Sequence, residues 1–420
     1  MKIQKQPSCN TAVETGVITV PVAVSKILGK TLAISDFSKL QIRECLNRVL
    51  FEDIKSPIDV PGHNNSAMDG YAVSSRDLPK DDSKSFKVVG TAFAGQPFVG
   101  SCQQNECVRI MTGAVVPEQT DTIVIQEDVQ TLDTCTIEIG TGHKKNQNFR
   151  YAGEDIKRGE TVLAKGAVIK AADLGVLASL GINEVKVFRK PRVSFFSTGN
   201  ELKSIGETLI KGEIYDSNRY SLYGLLSDCD VDIIDMGAVK DDPDTIRQTL
   251  LSAAACSDII LTSGGVSVGE ADYIKGILQE IGSMDMWKIA MKPGRPLTFG
   301  QIDNSLFFGL PGNPVAVMVT FYQFVLPAIT KIKGMTYKQP VTLKAKSLSS
   351  IRKNPGRREF QRAIASTDNN GDLQVILTGK QGSGILTSMS QANCFIVLTE
   401  ETGSITKGDP VDIQFFDLYK

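Results

Sequence analysis

Histidine is almost absent from this 420-residue chain: only His63 and His143 occur. Catalysis built on an imidazole base, and zinc sites of the Cys/His kind, therefore have little material to use. Eight cysteines are scattered, at Cys9, Cys45, Cys102, Cys107, Cys135, Cys229, Cys256 and Cys394, and none forms a Cys-x-x-Cys pair. That pattern argues against a disulfide scaffold and suits small buried side chains in a reducing cytoplasm. An excess of charge is missing too, since 46 basic and 47 acidic side chains leave a formal net charge of −1. A general nucleic-acid or membrane-surface binder would carry a basic excess. The single tryptophan, Trp287, suits a core better than a stacking platform. No run is expected to reach the roughly 18–20 apolar residues of a membrane helix. The stretch MKIQKQPSCNTAVETG lacks the apolar centre of a signal peptide. A cytoplasmic protein is expected, with no nucleic-acid and no membrane partner.

What is present is organised around Asp258 to Pro314. Asp258–Thr262 is a short apolar run bounded by turn residues and reads as a buried strand. Ser263-Gly264-Gly265 follows, then Val266-Ser267-Val268-Gly269. Apolar residues then recur at helical spacing from Ala271 to Ile281, with Gly282 placed to stop the helix. Strand, glycine-rich turn and helix present free backbone N–H groups to an anion. Glu270 and Asp272 stand at the helix start, where they can cap it or hold a divalent cation against a phosphate. Lys292-Pro293-Gly294-Arg295-Pro296 puts two cations on a stiff turn. In Leu310-Pro311-Gly312-Asn313-Pro314, Asn313 is placed as an N-cap and Pro314 as the first residue of the next helix.

In chain order, residues 1–56 read as helical, with one helix from Thr19-Pro21 to Leu28-Gly29 and another from Lys39 to Val49. Residues 57–150 hold short alternating strands separated by glycine and proline, a small β domain. Residues 151–190 are turn-rich, with a helix closed by Gly181 and a strand ended by Pro191. Residues 191–333 alternate strand and helix, the pattern of a parallel doubly wound sheet. Ligands of such sheets bind beyond the carboxyl ends of the strands. The turns at 197–201, 239–242, 263–272 and 310–314 all fall there. Residues 334–420 return to strands, with Asn370-Gly371 suited to a type I′ hairpin.

Taken singly, each of these residues has an ordinary reading. Asp242 caps a helix, while Asp241 has no cap role and is the better ligand candidate. Asp272 is as much a first-turn helix acid as a ligand. Gly264 and Gly265 make a tight turn, Lys292 and Arg295 a solvated basic one, and Asp69 and Glu201 solvated loop acids. Their joint placement at strand ends favours a site that handles phosphate and another oxyanion. There cations neutralise the anions and carboxylates hold Mg²⁺.

Four segments together resemble the molybdopterin molybdenumtransferases: NSAMDGYAV (65–73), TSGGVSVGEADY (262–273), KPGRP (292–296) and LPGNP (310–314). These are the molybdenum-insertion enzymes of molybdenum cofactor synthesis, related to the C-terminal domain of gephyrin. RIMTGAVVP (109–117), GEDI (153–156) and GRREFQRA (356–363) are similar too. The resemblance implies a multidomain α/β and β fold. Domain 1 is helical and extended and discontinuous, at 1–56 and 151–190. Domain 2 is an inserted β domain at 57–150. Domain 3 is a central, doubly wound α/β molybdopterin-binding domain at 191–333, and domain 4 is a β-barrel-like domain at 334–420.

The resemblance also implies a reaction and an assembly. Adenylylated molybdopterin and molybdate react with Mg²⁺, AMP leaves, and the dithiolene sulfurs take molybdenum. The family forms homodimers, with domains 1 and 2 of the partner facing the cleft of domain 3 and Asp69 entering from the partner. A molybdopterin adenylyltransferase and apo-molybdoenzymes are implied as further partners. Carried over by position, the catalytic set is Asp69, Glu201, Asp241, Asp272, Lys288 and Lys292, with Asp241 and Asp272 at the metal. The substrate-binding set is Thr112, Asp155, Ser263, Gly264, Gly265, Ser267, Gly269, Glu270, Arg295, Pro311, Gly312, Asn313, Pro314 and Ser383. The chain departs from the family where Asn64 and Asn200 replace the usual Asp, and where NFRYAGEDI is less basic. Two alternatives stand beside this reading. One is a molybdopterin adenylyltransferase, whose glycine turn typically reads Thr-Gly-Gly-Thr-Gly. The other is a non-enzymatic, gephyrin-like scaffold.

Overall fold

The apolar run at 258–262 becomes the strand Ile259–Ser263 in the computed structural model, which describes residues 16–264 and 273–419. Gly265, Ser267, Gly269, Glu270 and Asp272 therefore lie outside the described residues. The chain forms two compact units. One holds residues 39–46 and 50–186, and the other holds the rest.

The larger unit is built on a seven-stranded sheet in the order Val17–Ile18, Ser283–Ile289, Pro296–Ile302, Ser305–Leu310, Ile259–Ser263, Arg192–Thr198, Asp232–Val239. The last four run parallel. Ser283–Ile289, Pro296–Ile302 and Ser305–Leu310 are successively antiparallel, so the sheet is mixed, not wholly parallel. The reason is local. Only Asp303 and Asn304 separate the paired residues Ile302 and Ser305, and a turn that short can only reverse the chain. Both faces of the central strands are apolar because both are covered. Val193, Phe195, Ile259, Leu261, Leu306 and Phe308 point into one core. Phe196, Ile260 and Phe307 point into the other, against the helices Pro243–Cys256 and Tyr273–Ile281.

Three features bear on the sequence reading and have physical causes. First, the expected helix near Thr19 to Gly29 is present as Val20–Lys30 and packs into the larger unit, with Val20, Ala23 and Ile27 buried in its core. Second, Lys39–Val49 is not a helix. It forms the strand Phe37–Gln41, a short 3-10 turn Ile42–Glu44, and a left-handed Asn47. The Ile42 N–H is taken by the Asn183 carbonyl at 3.0 Å. Third, Pro314–Ile332 is a helix long and apolar enough to cross a membrane, contrary to the expectation that no such run exists. It is a core helix, with 72% of its apolar window buried. A helix apolar on all sides needs such cover. It widens to a π-turn at Phe321–Val325, just before Pro327, whose ring would otherwise press on the preceding turn.

Residues 343–415 form a closed five-stranded barrel. Arg358–Thr367 pairs with Leu373–Leu377 on one side and Cys394–Leu398 on the other, and Leu343–Ser347 and Pro410–Phe415 complete the ring. The hairpin at 368–371 is present, but not as type I′. Among the described residues Asn370 is not left-handed; only Gly371 is, and its N–H closes onto the Asp368 carbonyl at 3.1 Å. Barrel and sheet share a core, since Phe360, Phe395 and Val397 pack with the sheet residues. The smaller unit is built on a six-stranded sheet of 70–73, 84–92, 106–110, 122–125, 129–131 and 136–139, with an apolar cluster on each face.

One ion pair ties down the foot of the central strand. Arg189 grips Asp258 with two hydrogen bonds, at 2.8 and 2.7 Å, and the Arg192 N–H donates to the same carboxylate at 2.7 Å. Burial pushes Asp258 up, but these bonds outweigh it and hold its carboxyl below the usual range. Stability from this group is therefore present above its unfolded pKa and lost as pH falls through the folded one. Asp258→Ala is expected to cost about 3 kcal/mol, read as a fall in the urea midpoint. An unchanged midpoint would show that the pair contributes nothing net.

Candidate active-site cleft

The carboxyl ends of the parallel strands deliver the floor of a cleft of about 670 Å³. Thr198 ends Arg192–Thr198 and Gly199 and Glu201 follow it, and Gly264 follows Ile259–Ser263. Asp241 follows Asp232–Val239, and Pro311, Gly312 and Asn313 follow Ser305–Leu310. One wall is the turn Lys292–Pro296. The other comes from the barrel: Arg357, Gln381, Gly382 and Ser383.

Two carboxylates and three cations thus share one cavity. Asp241 has its carboxyl raised above the usual range, first by burial and then by the negative charge of Glu201. Its N–H donates to Asn200 Oδ1 at 3.3 Å. The amide at 200 does the accepting without adding a third negative charge beside Glu201 and Asp241. Asp242 is a cap, accepting from Thr245 N–H at 2.9 Å and Thr245 Oγ1 at 2.6 Å, which holds it below the usual range. A carboxyl raised by a neighbouring negative charge favours a cation placed between the two. Among the described residues no three or more His, Cys, Asp or Glu side chains cluster as a ready metal cage. The pair fits Mg²⁺, which takes one or two carboxylates and completes its shell with water and substrate phosphate.

Because Asp241 is raised, its stabilising contribution is fully present below its unfolded pKa and is lost as pH rises through the folded one. The consequence for any role as a ligand is opposite, since the anionic form is needed. Activity is expected to fall at a higher pH on the acid side than an ordinary aspartate would allow. Glu201→Gln is expected to move that limb toward lower pH, whatever it does to the maximum. A pH–rate profile checks this, and an unmoved limb would separate Asp241 from Glu201.

The barrel wall is held by an unusual side chain. Arg362 is 1% exposed and faces no carboxylate in its hydrogen bonds. Burial lowers it to about 10. Its Nη2 donates to the Gly382 carbonyl at 3.0 Å and its Nε to Ser388 Oγ at 3.1 Å. The Val315 N–H in turn donates to the Ser383 carbonyl at 3.0 Å, tying this wall to the start of the core helix. Asn313 occupies the N-cap position there, but its side chain makes no capping bond.

The cleft brings together Glu201, Asp241, Gly264, Lys292, Arg295, Pro311, Gly312, Asn313 and Ser383 of the sequence-predicted residues. Three others of the larger unit, among the described residues, do not line it. Ser263 is buried, with its Oγ 2.9 Å from Ser197 Oγ, beneath the floor. Lys288 lies exposed on the strand Ser283–Ile289, and Pro314 opens the helix behind the turn. Thr198, Arg357, Gln381 and Gly382 were missed. For Arg357 a signal existed, since Pro-Gly-Arg occurs twice, at 293–295 and 355–357, and both arginines reach the cleft.

In the smaller unit, Asp69 Oδ1 accepts from the Thr112 N–H and from Thr112 Oγ1, both at 2.7 Å. These bonds hold its carboxyl below the usual range. Gly70 is required beside it, because a Cβ there would sit 2.0 Å from the Val124 carbonyl oxygen. Asp155 is exposed, with its N–H on the Val60 carbonyl at 3.1 Å. Asn64 Oδ1 accepts from the Ala152 N–H at 2.9 Å, pinning the same loop.

Family models match the chain in three places: the MoeA N-terminal region (domain I and II) at residues 18–181, a probable molybdopterin binding domain at 196–331, and the MoeA C-terminal region (domain IV) at 344–416. A molybdopterin molybdenumtransferase of Haemophilus influenzae is 42% identical over 95% of this chain and 99% of its own length. Gephyrin of Dictyostelium discoideum is 35% identical over 90% of this chain and 59% of its own length. Among solved structures, a molybdopterin biosynthesis moeA protein of Pyrococcus horikoshii superposes with a TM-score of 0.82 at 29% identity, covering 95% of this chain and all of that one.

Proposed function

The chain belongs to the molybdopterin molybdenumtransferase family, and is thereby an enzyme of molybdenum cofactor biosynthesis. We propose that its cleft takes adenylylated molybdopterin and molybdate and yields molybdenum cofactor with release of AMP. The observation that carries this reading is the meeting of Lys292, Arg295 and Arg357 with Glu201 and Asp241 in one cavity. A nucleotide-linked pterin is polyanionic, and molybdate is an oxyanion. Both need fixed cations at short range.

In this reading the three cations take the pyrophosphate and molybdate oxygens. Gly264 and Gly312 line the cleft with bare backbone, beside Pro311 and Asn313. Asp241, with Glu201 beside it, would hold Mg²⁺, which supplies charge neutralisation on the phosphate that leaves with AMP. The homodimer and the roles of Asp69, Thr112 and Asp155 remain part of the proposal, as does Asp272 as a second metal ligand. Incubation with adenylylated molybdopterin, Mg²⁺ and molybdate tests it. Molybdate-dependent AMP is expected. Pyrophosphate formed from ATP and molybdopterin instead would assign an adenylyltransferase, and the absence of either product would leave a binding protein.

A further inference from the structure

Lys292 lines the cleft, but its ion-pair partner does not. Glu359, on the barrel strand Arg358–Thr367, places Oε1 3.4 Å from Lys292 Nζ. Only 4% of Glu359 is exposed. Its backbone is fixed by the strand Met291–Lys292, which leaves the α/β sheet and pairs in parallel with the barrel, Met291 beside Arg358 and Lys292 beside Glu359. The Arg358 N–H donates to the Ala290 carbonyl at 2.8 Å and locks that register. The side chain is fixed as well, because the buried Gln361 Nε2 donates to Glu359 Oε2. On the barrel side, Glu359 is the strongest acidic neighbour of Lys353, a lysine 4% exposed whose Nζ donates to the Thr402 carbonyl at 2.8 Å. The carboxylate therefore stands between a buried lysine and the cleft lysine, with little freedom of its own. A buried carboxylate is costly unless it is paired, so this one has a physical reason to hold Lys292 where it is.

We propose that Glu359 is a positioning residue for Lys292, an anionic post in the barrel that sets where the lysine ammonium meets the anionic end of the substrate. The inference rests on the reading of the cleft given above. A lysine has four rotatable bonds, and an unanchored one would surrender part of that freedom on every binding event. An anchor prepared in the folded protein removes that cost from binding.

The test uses Glu359→Gln, which keeps the shape and removes the charge, and Lys292→Met, in the full chain. In competitive acetylation by acetic anhydride, read by mass spectrometry against the exposed Lys211, Glu359→Gln is expected to speed modification of Lys292 at least about three-fold. In the AMP-release assay it is expected to raise KM about ten-fold with little change in kcat, and to add nothing in the Lys292→Met background. A merely structural role would lower both backgrounds alike. Unchanged acetylation, or effects of the two substitutions that multiply, would overturn the proposal. If the native protein releases no AMP, the reading of the cleft fails while the acetylation still decides what holds Lys292. Should Glu359→Gln not fold, Glu359→Asp, one methylene shorter, is expected to give faster Lys292 acetylation than the native protein, and a native rate would reject the anchor.

Discussion

Asp241→Ala is expected to lower AMP release by on the order of 10²–10³-fold, with the thermal unfolding temperature nearly unchanged. Asp241 holds to its neighbour Asn200 alone, its N–H donating to Asn200 Oδ1 and its carboxylate accepting from the Asn200 backbone, a local loop contact that anchors no other element. Its carboxylate is instead disfavoured where it stands, by burial and by Glu201. A site kept at such a disadvantage makes sense when a cation reverses it. Two consequences separate this reading from a plain acid on a loop. The Mg²⁺ concentration for half-maximal rate should rise in Asp241→Ala, and extra Mg²⁺ should recover part of the rate. The double variant with Glu201→Ala should be little worse than Asp241→Ala alone, because groups that act as one unit are not additive. Undiminished AMP release in Asp241→Ala would remove the metal from this position altogether.

The strand-end turns were legible in the sequence because each is announced by short-range chemistry. Ser263-Gly264 follows an apolar run, Asp242-Pro243 opens a helix, and Leu310-Pro311-Gly312-Asn313-Pro314 ends a strand. The structure places Asp242 as the cap of Pro243–Cys256 and leaves Asp241 to the cleft. What could not be read is whatever depends on pairing between distant segments. The antiparallel edge of the sheet arises from strands of similar composition, and only pairing reveals its direction. The segment 39–49 carries apolar residues at positions 42, 45, 46 and 49, a spacing that suits a helix, and it is pairing of Phe37–Gln41 with the distant Glu184–Phe188 and a carbonyl from Asn183 that override it. Arg357, Glu359 and Ser383 meet Lys292 only because the strand Met291–Lys292 crosses into the barrel. Nothing within 60 residues of Lys292 in the sequence announces its acid, since Glu359 lies 67 positions away.

Gly264→Ala is the second large effect expected, and a comparison with Gly371→Ala makes it decisive. Both glycines are left-handed, at φ of +89° and +87°. Gly371 sits at a hairpin tip with open space around it, so alanine there meets only the backbone penalty, about 1–2 kcal/mol. At Gly264 a Cβ would lie 2.6 Å from the Thr198 carbonyl oxygen and 3.4 Å from Thr198 Oγ1. The atom in the way is backbone at the end of a neighbouring strand, and it cannot swing aside as a side chain would. The Gly264 N–H also donates to the Leu310 carbonyl at 3.2 Å, so three strand ends meet at this residue. Alanine must push apart the turns that carry Thr198, Glu201 and Pro311. The expected cost is on the order of 3 kcal/mol of stability, with AMP release falling well below that of Gly371→Ala at a temperature where both variants are folded. Equal activity in the two variants would mean that the floor of the cleft yields without consequence, and that the close approach of these strand ends does not shape the site.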